Sequence, residues 1–365
     1  MGADGIATSN RVDPITYQKI GASVVDNILT GQTYGMRLLR MGDAFNGKTM
    51  DYPIKVVNGA QGEFFVGLEN LGSSATDTLV TLSYAHTAFD QPIVSVMLEA
   101  FANSGPQQAI DLDTYKYEEA IAEAMAKLGP AFYGTGSSNQ PLGLGAIVDD
   151  GTDVGTIGGQ SRTTYTTLKA TRTAASSGVI SLTVLATLED TITAGGIQSE
   201  EPNINVTTKT VWSLFEQLLQ PAFRNNADNA GLAVPLAGND IMKRSELKGT
   251  AGFTALSYRG KPVIKDDACT SGNWFMLNER YFGWKGRTTV PTKYDGQIQK
   301  VSFGEPQTID GTAAAITPPS SAGWFMQDYR ILPNQAGMIA RLYLIGQTCG
   351  TQFRRQGRLT GVTTV

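Results

Sequence analysis

Histidine occurs once in this 365-residue sequence, at His86, and cysteine twice, at Cys269 and Cys349. Two distant cysteines supply neither a disulfide framework nor a zinc site, and a lone histidine in an alternating segment reads as a structural side chain. Charged residues are scarce at 17%, and the formal net charge is only −4. Composition therefore gives no case for a nucleic-acid or membrane-surface binder. No apolar run approaches the length of a membrane span. The opening "MGADGIATSNRVDP" lacks the charged start and apolar stretch of a signal peptide, and Ile6 stands where a myristoylation signal wants Ser or Thr. The expectation is a soluble chain made in the cytoplasm.

Glycine is what the sequence has in excess. Its 41 glycines point to many turns and β structure, while 41% hydrophobic residues exclude a disordered chain. The length allows two or three domains, or one elaborated domain. Charge is spread unevenly. Between Asp51 and Ala100, Lys55 stands alone against Asp51, Glu63, Glu69, Asp77, Asp90 and Glu99. Between Trp324 and Val365, Asp328 stands alone against Arg330, Arg341, Arg354, Arg355 and Arg358. Either these are two solvated faces, or the two segments meet, as between chains.

The first 50 residues have no self-sufficient core and read as an arm. "PITYQKIGASVVDNILTG" suits a helix broken near Gly21, and "TYGMRLLRMG" a short strand or turn. From Met50 to Ala100 the pattern is β. "IKVV" and "EFFVGL" flank the turn-rich "NGAQG", which predicts a hairpin, and "TLVTLSYAHTAFD" alternates like a strand. A long ribbon with bare edges is barely stable alone, so it predicts cover from another chain. "DLDTYKYEEAIAEAMAKLGP" predicts a long amphipathic helix. Tyr117, Ala120, Ile121, Ala124, Met125 and Leu128 form its apolar face, Asp111 or Asp113 its cap, and Gly129 and Pro130 its stop. "SLTVLATLEDTITAGG" predicts a second helix capped by Ser181, with Leu182, Leu185, Leu188 and Ile192 on one face. "PNINVTTKTVWSLFEQLLQP" predicts a strand and a helix ending near Pro221. "LSYRGKPVIKDDACTSGNWFMLNERYFGW" and "GWFMQDYRILPNQAGMIARLYLIGQ" predict short strands split by turns.

Several motifs invite chemistry. Residues 42–49, "GDAFNGKT", match the phosphate-cradling pattern G-x-x-x-x-G-K-[ST], which requires a strand before the loop and a helix opening at the lysine. Pro53 and the β pattern after Thr49 deny that helix, so an ATPase is the weaker reading and a turn feeding the ribbon the stronger. Gly134-x-Gly136 and Gly143-x-Gly145 each lack the third glycine of a dinucleotide loop. "VDDGTDVG" lacks EF-hand spacing, no G-x-S-x-G elbow occurs, and no carboxylate pair stands out. No enzyme, cofactor or metal site emerges.

Taken in order, an arm, an acidic ribbon and a spine helix running into "FYGTGSSNQPLGLGAIVDD" resemble a tailed-bacteriophage major capsid protein of the Hong Kong 97 type. "VWSLFEQLL", "YRGKPVIKDDACTSGNWFMLN" and "LYLIGQTCGTQFRRQGRLTGV" resemble the second half of such proteins. The resemblance covers essentially the whole chain by order of elements. It implies an α+β capsid fold with an N-terminal arm (1–48), an extended β-hairpin loop (49–92) and a peripheral domain with the spine helix (93–180). An axial domain (181–286) and a return to the peripheral domain (287–365) would complete it. It also implies a structural, self-assembling subunit of an icosahedral virion shell around a double-stranded DNA phage genome.

The partners so implied are copies of itself in hexamers and pentamers, with scaffolding, portal and cement proteins. Packaged DNA would be touched non-specifically at most, and no membrane is involved. The sequence lacks the heptad repeats of a scaffold-like pro-segment. Lys48 and Lys55 are present where some relatives form Lys–Asn cross-links, but nothing identifies a partner. The competing class is another β-rich virion surface, tail or sugar-binding module, against which the helices argue. The charge asymmetry predicts that Glu63, Glu69 and Asp77 meet Arg354, Arg355 and Arg358 of a neighbouring subunit. The alternative is that those arginines face the genome or solvent.

Overall fold

The computed structural model describes residues 33–40, 42–59, 64, 66–68, 77–102, 112–137, 139–196, 200–230, 256–290, 292–294, 297–300, 323–333 and 335–365. The helix anticipated around Gly21 lies outside them. "TYGMRLLR" forms the helix Thr33–Arg40 in place of the expected strand or turn, burying Tyr34, Leu38 and Leu39.

Two six-stranded sheets organise the described chain. The first is built on the 14-residue strand Gly337–Gly350. One edge of that strand pairs with Trp324–Ile331 around the expected "PNQAG" turn, with a bulge between Gln327 and Arg330. Its other edge pairs with Thr87–Val96, from Val96↔Gly337 to Thr87↔Gly346, while Phe282–Gly286 pairs with its last residues, from Gly286↔Gly346 to Phe282↔Gly350, on the edge that Trp324–Ile331 occupies further back. Ile298–Lys300 and the two-residue strand Asp43–Ala44 extend the sheet. The second sheet runs in the order Thr171–Ala174, Gly357–Thr360, Trp274–Leu277, Ile204–Thr207, Lys261–Lys265, Leu256–Tyr258. Its last two strands form a tight hairpin, and Arg259 and Gly260 turn it at φ 47 and 77, the left-handed pair that a two-residue loop demands.

The second sheet lies between two cores, which explains its unalternating apolar runs. Phe275 and Leu277 join Ile204, Val206 and the main core, whereas Trp274 and Met276 point the other way, to Leu185, Leu188, Val211 and Phe215. A strand buried on both faces needs apolar residues at every position, and "WFML" supplies them.

Helix Leu112–Tyr133 buries Ala120, Ile121, Ala124, Met125 and Leu128 while Glu118, Glu119, Glu123 and Lys127 stay exposed, the face expected from sequence. Gly129 and Pro130 do not stop it. Pro130 sits on the exposed side, where water can serve the carbonyl it leaves unpaired, and burial of Ala131, Phe132 and Tyr133 carries the helix one turn further. Helix Lys209–Ala230 likewise runs through Pro221. Helix Leu182–Thr193 is capped as expected, Ser181 Oγ accepting from Val184 N at 3.2 Å, although Leu182 itself is exposed.

The ribbon differs from expectation in its pairing. Thr49–Lys55 pairs with Leu79–Ala85, from Thr49↔Ala85 to Lys55↔Leu79, and the described residues of "EFFVGL", Phe64, Val66, Gly67 and Leu68, form no strand. Met50, Val56, Leu82 and Tyr84 are all buried in the main core, so the proximal ribbon has an apolar face held by its own chain. Phe64, Val66 and Leu68 offer nothing comparable, being almost wholly exposed at 108%, 86% and 108%.

Candidate assembly surfaces

Residues 42–49 are preceded by a helix and followed by a strand, the reverse of a phosphate-binding loop. Asp43–Ala44 lies parallel to Phe282–Gly286, Phe45 N donates to Gly286 O at 2.8 Å, and Asn46 Oδ1 accepts from Thr288 N and Thr289 N. Lys48 is exposed. Gly42 is required for packing, since a Cβ there would meet Trp284 Cδ1 at 2.8 Å and Leu39 O at 3.0 Å. His86 lies between the second ribbon strand and Thr87–Val96, with its ring 5.3 Å from that of Phe45.

The glycines of "QPLGLG" have a similar explanation. A Cβ on Gly143 would stand 2.5 Å from Gly134 O and 2.6 Å from Ala131 O, where the turn passes under the end of the long helix. Gln347 ties this turn to the ribbon base: its Oε1 accepts from Leu142 N at 2.7 Å, and its Nε2 donates to Ala85 O at 3.1 Å.

The three arginines named from sequence separate in the structure. Arg355 and Arg358 are buried at 7% and 5% exposure and have partners in their own chain. Arg355 donates to Ile192 O at 2.8 Å and Glu200 Oε2 at 3.0 Å, closing the end of helix Leu182–Thr193. Arg358 donates to Asp153 Oδ2 at 2.7 Å and lies 3.5 Å from Asp149.

Asp149 is fully buried. Its Oδ2 accepts from Gly151 N, Asp153 N and Val154 N at 2.9–3.2 Å, and Arg162 and Arg172 each approach the carboxylate to 3.5 Å. Arg162, also fully buried, donates to Ala146 O, Val154 O and Leu168 O and lies 5.5 Å over the Phe353 ring. "VDDGTDVG" is thus a loop wrapped round a structural ion cluster.

Arg354, by contrast, is exposed, as is Asp77, whose Oδ1 accepts from Leu79 N at 3.4 Å. Glu63 and Glu69 lie outside the described residues. The acidic and basic segments do meet, but within one chain, where Arg341 pairs with Asp90 across adjacent strands.

The end of the expected arm is fastened to the body. Asp266, from the "KDDAC" stretch, accepts from Tyr34 N at 2.7 Å, Tyr133 Oη at 3.0 Å and Ala268 N at 2.9 Å. A carboxylate at a helix N-terminus satisfies an orphan N–H and complements the helix dipole. Arg37 adds a two-pronged pair to Glu279 at 2.7 Å. Burial beside Asp266 pushes the Tyr133 phenol far above its ordinary range, so it stays a proton donor.

Among the described residues, two exposed apolar regions stand out. One is the ribbon tip with Phe64, Val66 and Leu68. The other is the far end of the first sheet, where Val94, Val96, Met97, Leu98, Ile331 and Met338 are each 38–78% exposed. Groups of large apolar side chains facing water are characteristic of contact surfaces.

No family model and no curated protein matches this sequence. Among solved structures, the cyanophage A-1(L) capsid asymmetric unit is similar over 96% of this chain and 98% of that one, with 18% identity and a TM-score of 0.67. The capsid of a native GTA particle is similar over 99% of both chains, with 9% identity and a TM-score of 0.56. The holo-SrpI encapsulin complex from Synechococcus elongatus is similar over 96% of this chain and 94% of that one, with 12% identity and a TM-score of 0.50. Likeness from end to end disfavours a separate tail or sugar-binding module. Over nearly its whole length this chain has the α+β capsid fold of tailed phages.

Proposed function

We propose that this chain is a major capsid subunit that assembles with copies of itself, as hexamers and pentamers, into the icosahedral shell of a tailed phage. The observation that carries the reading is an exposed apolar ribbon tip, Phe64, Val66 and Leu68, on a fold whose solved relatives include phage capsids. A lone soluble chain gains nothing from such a tip, whereas a shell buries it at every subunit. Location in the virion follows from the same reading. Scaffolding, portal and cement proteins are the further partner classes, with DNA contacted without sequence preference. An essentially structural role accords with the inner cluster around Asp149, whose ions hold the fold together.

The domain division proposed is arm 1–48, extended loop 49–92, peripheral 93–180, axial 181–286 and returning peripheral 287–365. The second core supports the axial assignment, since all but Ile180, Leu359 and Val362 of its buried members fall within 181–286. Sheet membership suggests three exchanges: Phe282–Gly286 pairs in the first sheet, and Thr171–Ala174 and Gly357–Thr360 pair in the second.

The likeness to an encapsulin complex supports a second reading, a shell with contents other than a phage genome. The two are separated by what the particles hold. Nuclease-protected double-stranded DNA of uniform length, in particles from cells making the complete set of phage proteins, supports the capsid. Shells that never hold DNA and always carry a protein favour the compartment.

A further inference from the structure

We propose that the short hairpin Thr156–Ser161 is a clamp that fixes the direction in which the ribbon leaves its own subunit. The ribbon then moves with the body as far as Val56 and Thr78 and bends only beyond them. This rests on the shell reading above and adds how the subunit presets its ribbon before any neighbour arrives. The hairpin pairs Thr156 with Ser161 and Ile157 with Gln160, and Gly158 and Gly159 turn it at φ 55 and 80, as a two-residue loop demands. Its tip meets the outer edge of Leu79–Ala85. Ser83 N donates to Gly158 O at 3.0 Å, and Gln160 Nε2 donates to Thr81 O at 3.2 Å. In an antiparallel pair the backbone groups of alternate residues point out of the ladder, so Thr81 and Ser83 would otherwise present a bare edge. On the opposite edge Pro53 stands across from Thr81 and has no N–H to offer.

The clamp fits closely and is itself immobile. A Cβ on Gly158 would stand 2.8 Å from Leu82 Cβ and 3.1 Å from Leu82 Cα, and Leu82 is fully buried. Glycine is therefore required there twice over, by the left-handed backbone and by the approach to the ribbon. At the root of the hairpin, Ile157 is buried in the main core and Arg162 N donates to Gly155 O at 2.9 Å. The Arg162 guanidinium belongs to the ion cluster around Asp149, so the clamp is anchored in the most polar part of the interior. The other ribbon strand is tied separately. Thr167 Oγ1 donates to Val56 O at 3.0 Å, and Val56 N donates to Thr78 O at 3.0 Å. Among the described residues, no hydrogen bond joins the ribbon to the body beyond that rung. Two paired strands held at three points by one packed body have no freedom to swing at their base.

The test is to lock the clamp before assembly, with Thr81→Cys and Gln160→Cys joined inside the dissociated subunit by a short bis-maleimide. Cys269 and Cys349 are buried, so they stay out of the reaction. Bridged subunits are expected to form particles of the same diameter, and at the same rate, as the unbridged double variant. Bridged subunits that stay unassembled, or close at another diameter, show that the ribbon swings at its base and overturn the proposal. A pair that the reagent cannot bridge puts the hairpin away from the ribbon and overturns it too. Failure of the unmodified chain to form particles is the separate failure of the shell reading. If the double variant does not fold, hydrogen exchange of the unmodified chain decides. Peptides covering Ser83 should exchange slowly both in dissociated subunits and in particles, and fast exchange in either state overturns the clamp. Gly158→Ala should speed that exchange in the subunit by about tenfold, the scale of one lost hydrogen bond. An unchanged rate in a folded Gly158→Ala chain overturns the clamp as well.

Discussion

Asp153 and Arg358, 205 positions apart in the sequence, lie 2.7 Å apart in the fold. The contact draws the loop after the long helix onto the strand Gly357–Thr360 and completes the ion cluster around Asp149. Removing one member of a buried ion group leaves the others uncompensated, which costs about 3–5 kcal/mol. Arg358→Met should therefore lower unfolding stability by about that amount in denaturant titration of the dissociated subunit. Arg354→Ala, in the turn just before that strand and exposed, should change it by less than about 0.5 kcal/mol. Equal effects would show that the cluster does not hold the fold.

Asp153 also sets the acid limit of that region. The Arg358 hydrogen bond holds its carboxyl below the ordinary range, overcoming the partial burial that pushes the other way, with Arg172 helping. A depressed carboxyl contributes stability that is fully present above its ordinary pKa of 3.8 and is lost as pH falls through the lower folded value. Thermal melts of the chain should fall steeply below about pH 4. Asp153→Asn should be less stable at neutral pH and show a shallower acid decline. An unchanged acid slope would place the sensitive carboxyl elsewhere.

Gly143 tests the turn under the long helix. A methyl group there meets backbone oxygens at 2.5 and 2.6 Å, which no rotamer change relieves. Gly143→Ala should cost about 3 kcal/mol or more, the upper end for overpacking, read as a loss of soluble folded chain or a lower melting temperature. Gly155, with open space around it, should accept alanine with little effect. Similar tolerance at both positions would contradict the packing account.

How much of this was legible in the sequence depended on how local the cause was. Helix Leu182–Thr193 could be read because its period and its Ser181 cap lie within a dozen residues. The strands around "RGKP" and "PNQAG" were legible for the same reason. The ribbon pairing was not legible because Thr49–Lys55 pairs past the nearest apolar run with Leu79–Ala85, whose Leu82 and Tyr84 are buried in the main core. Charge at Arg355 and Arg358 was visible, but their burial was not, since Glu200 and Asp153 lie 155 and 205 residues away. Pro130 reads as a stop because the burial that carries the helix past it, Phe132 against Trp284 and Tyr133 on Asp266, depends on residues more than a hundred positions away. The match at 42–49 failed on its flanks, as Pro53 and the following β pattern indicated.

The ribbon should show two different histories on assembly. Residues 49–56 and 79–85 pair with each other and bury Met50, Leu82 and Tyr84 on their own chain, so their amides should be protected from hydrogen exchange even in dissociated subunits. Amides of residues 63–69 should exchange quickly in the subunit and slowly in particles. Fast exchange of the tip in both states would mean that no neighbour covers it.

The central claim is that this chain builds a closed shell, and electron microscopy of the purified, expressed chain tests it most directly, with scaffolding protein supplied where the chain alone does not close. The account predicts icosahedral particles whose walls resolve into hexamers and pentamers of one subunit, each with its ribbon lying over an adjacent copy. Monomers or small open oligomers under both conditions, with the chain fully folded, would contradict it.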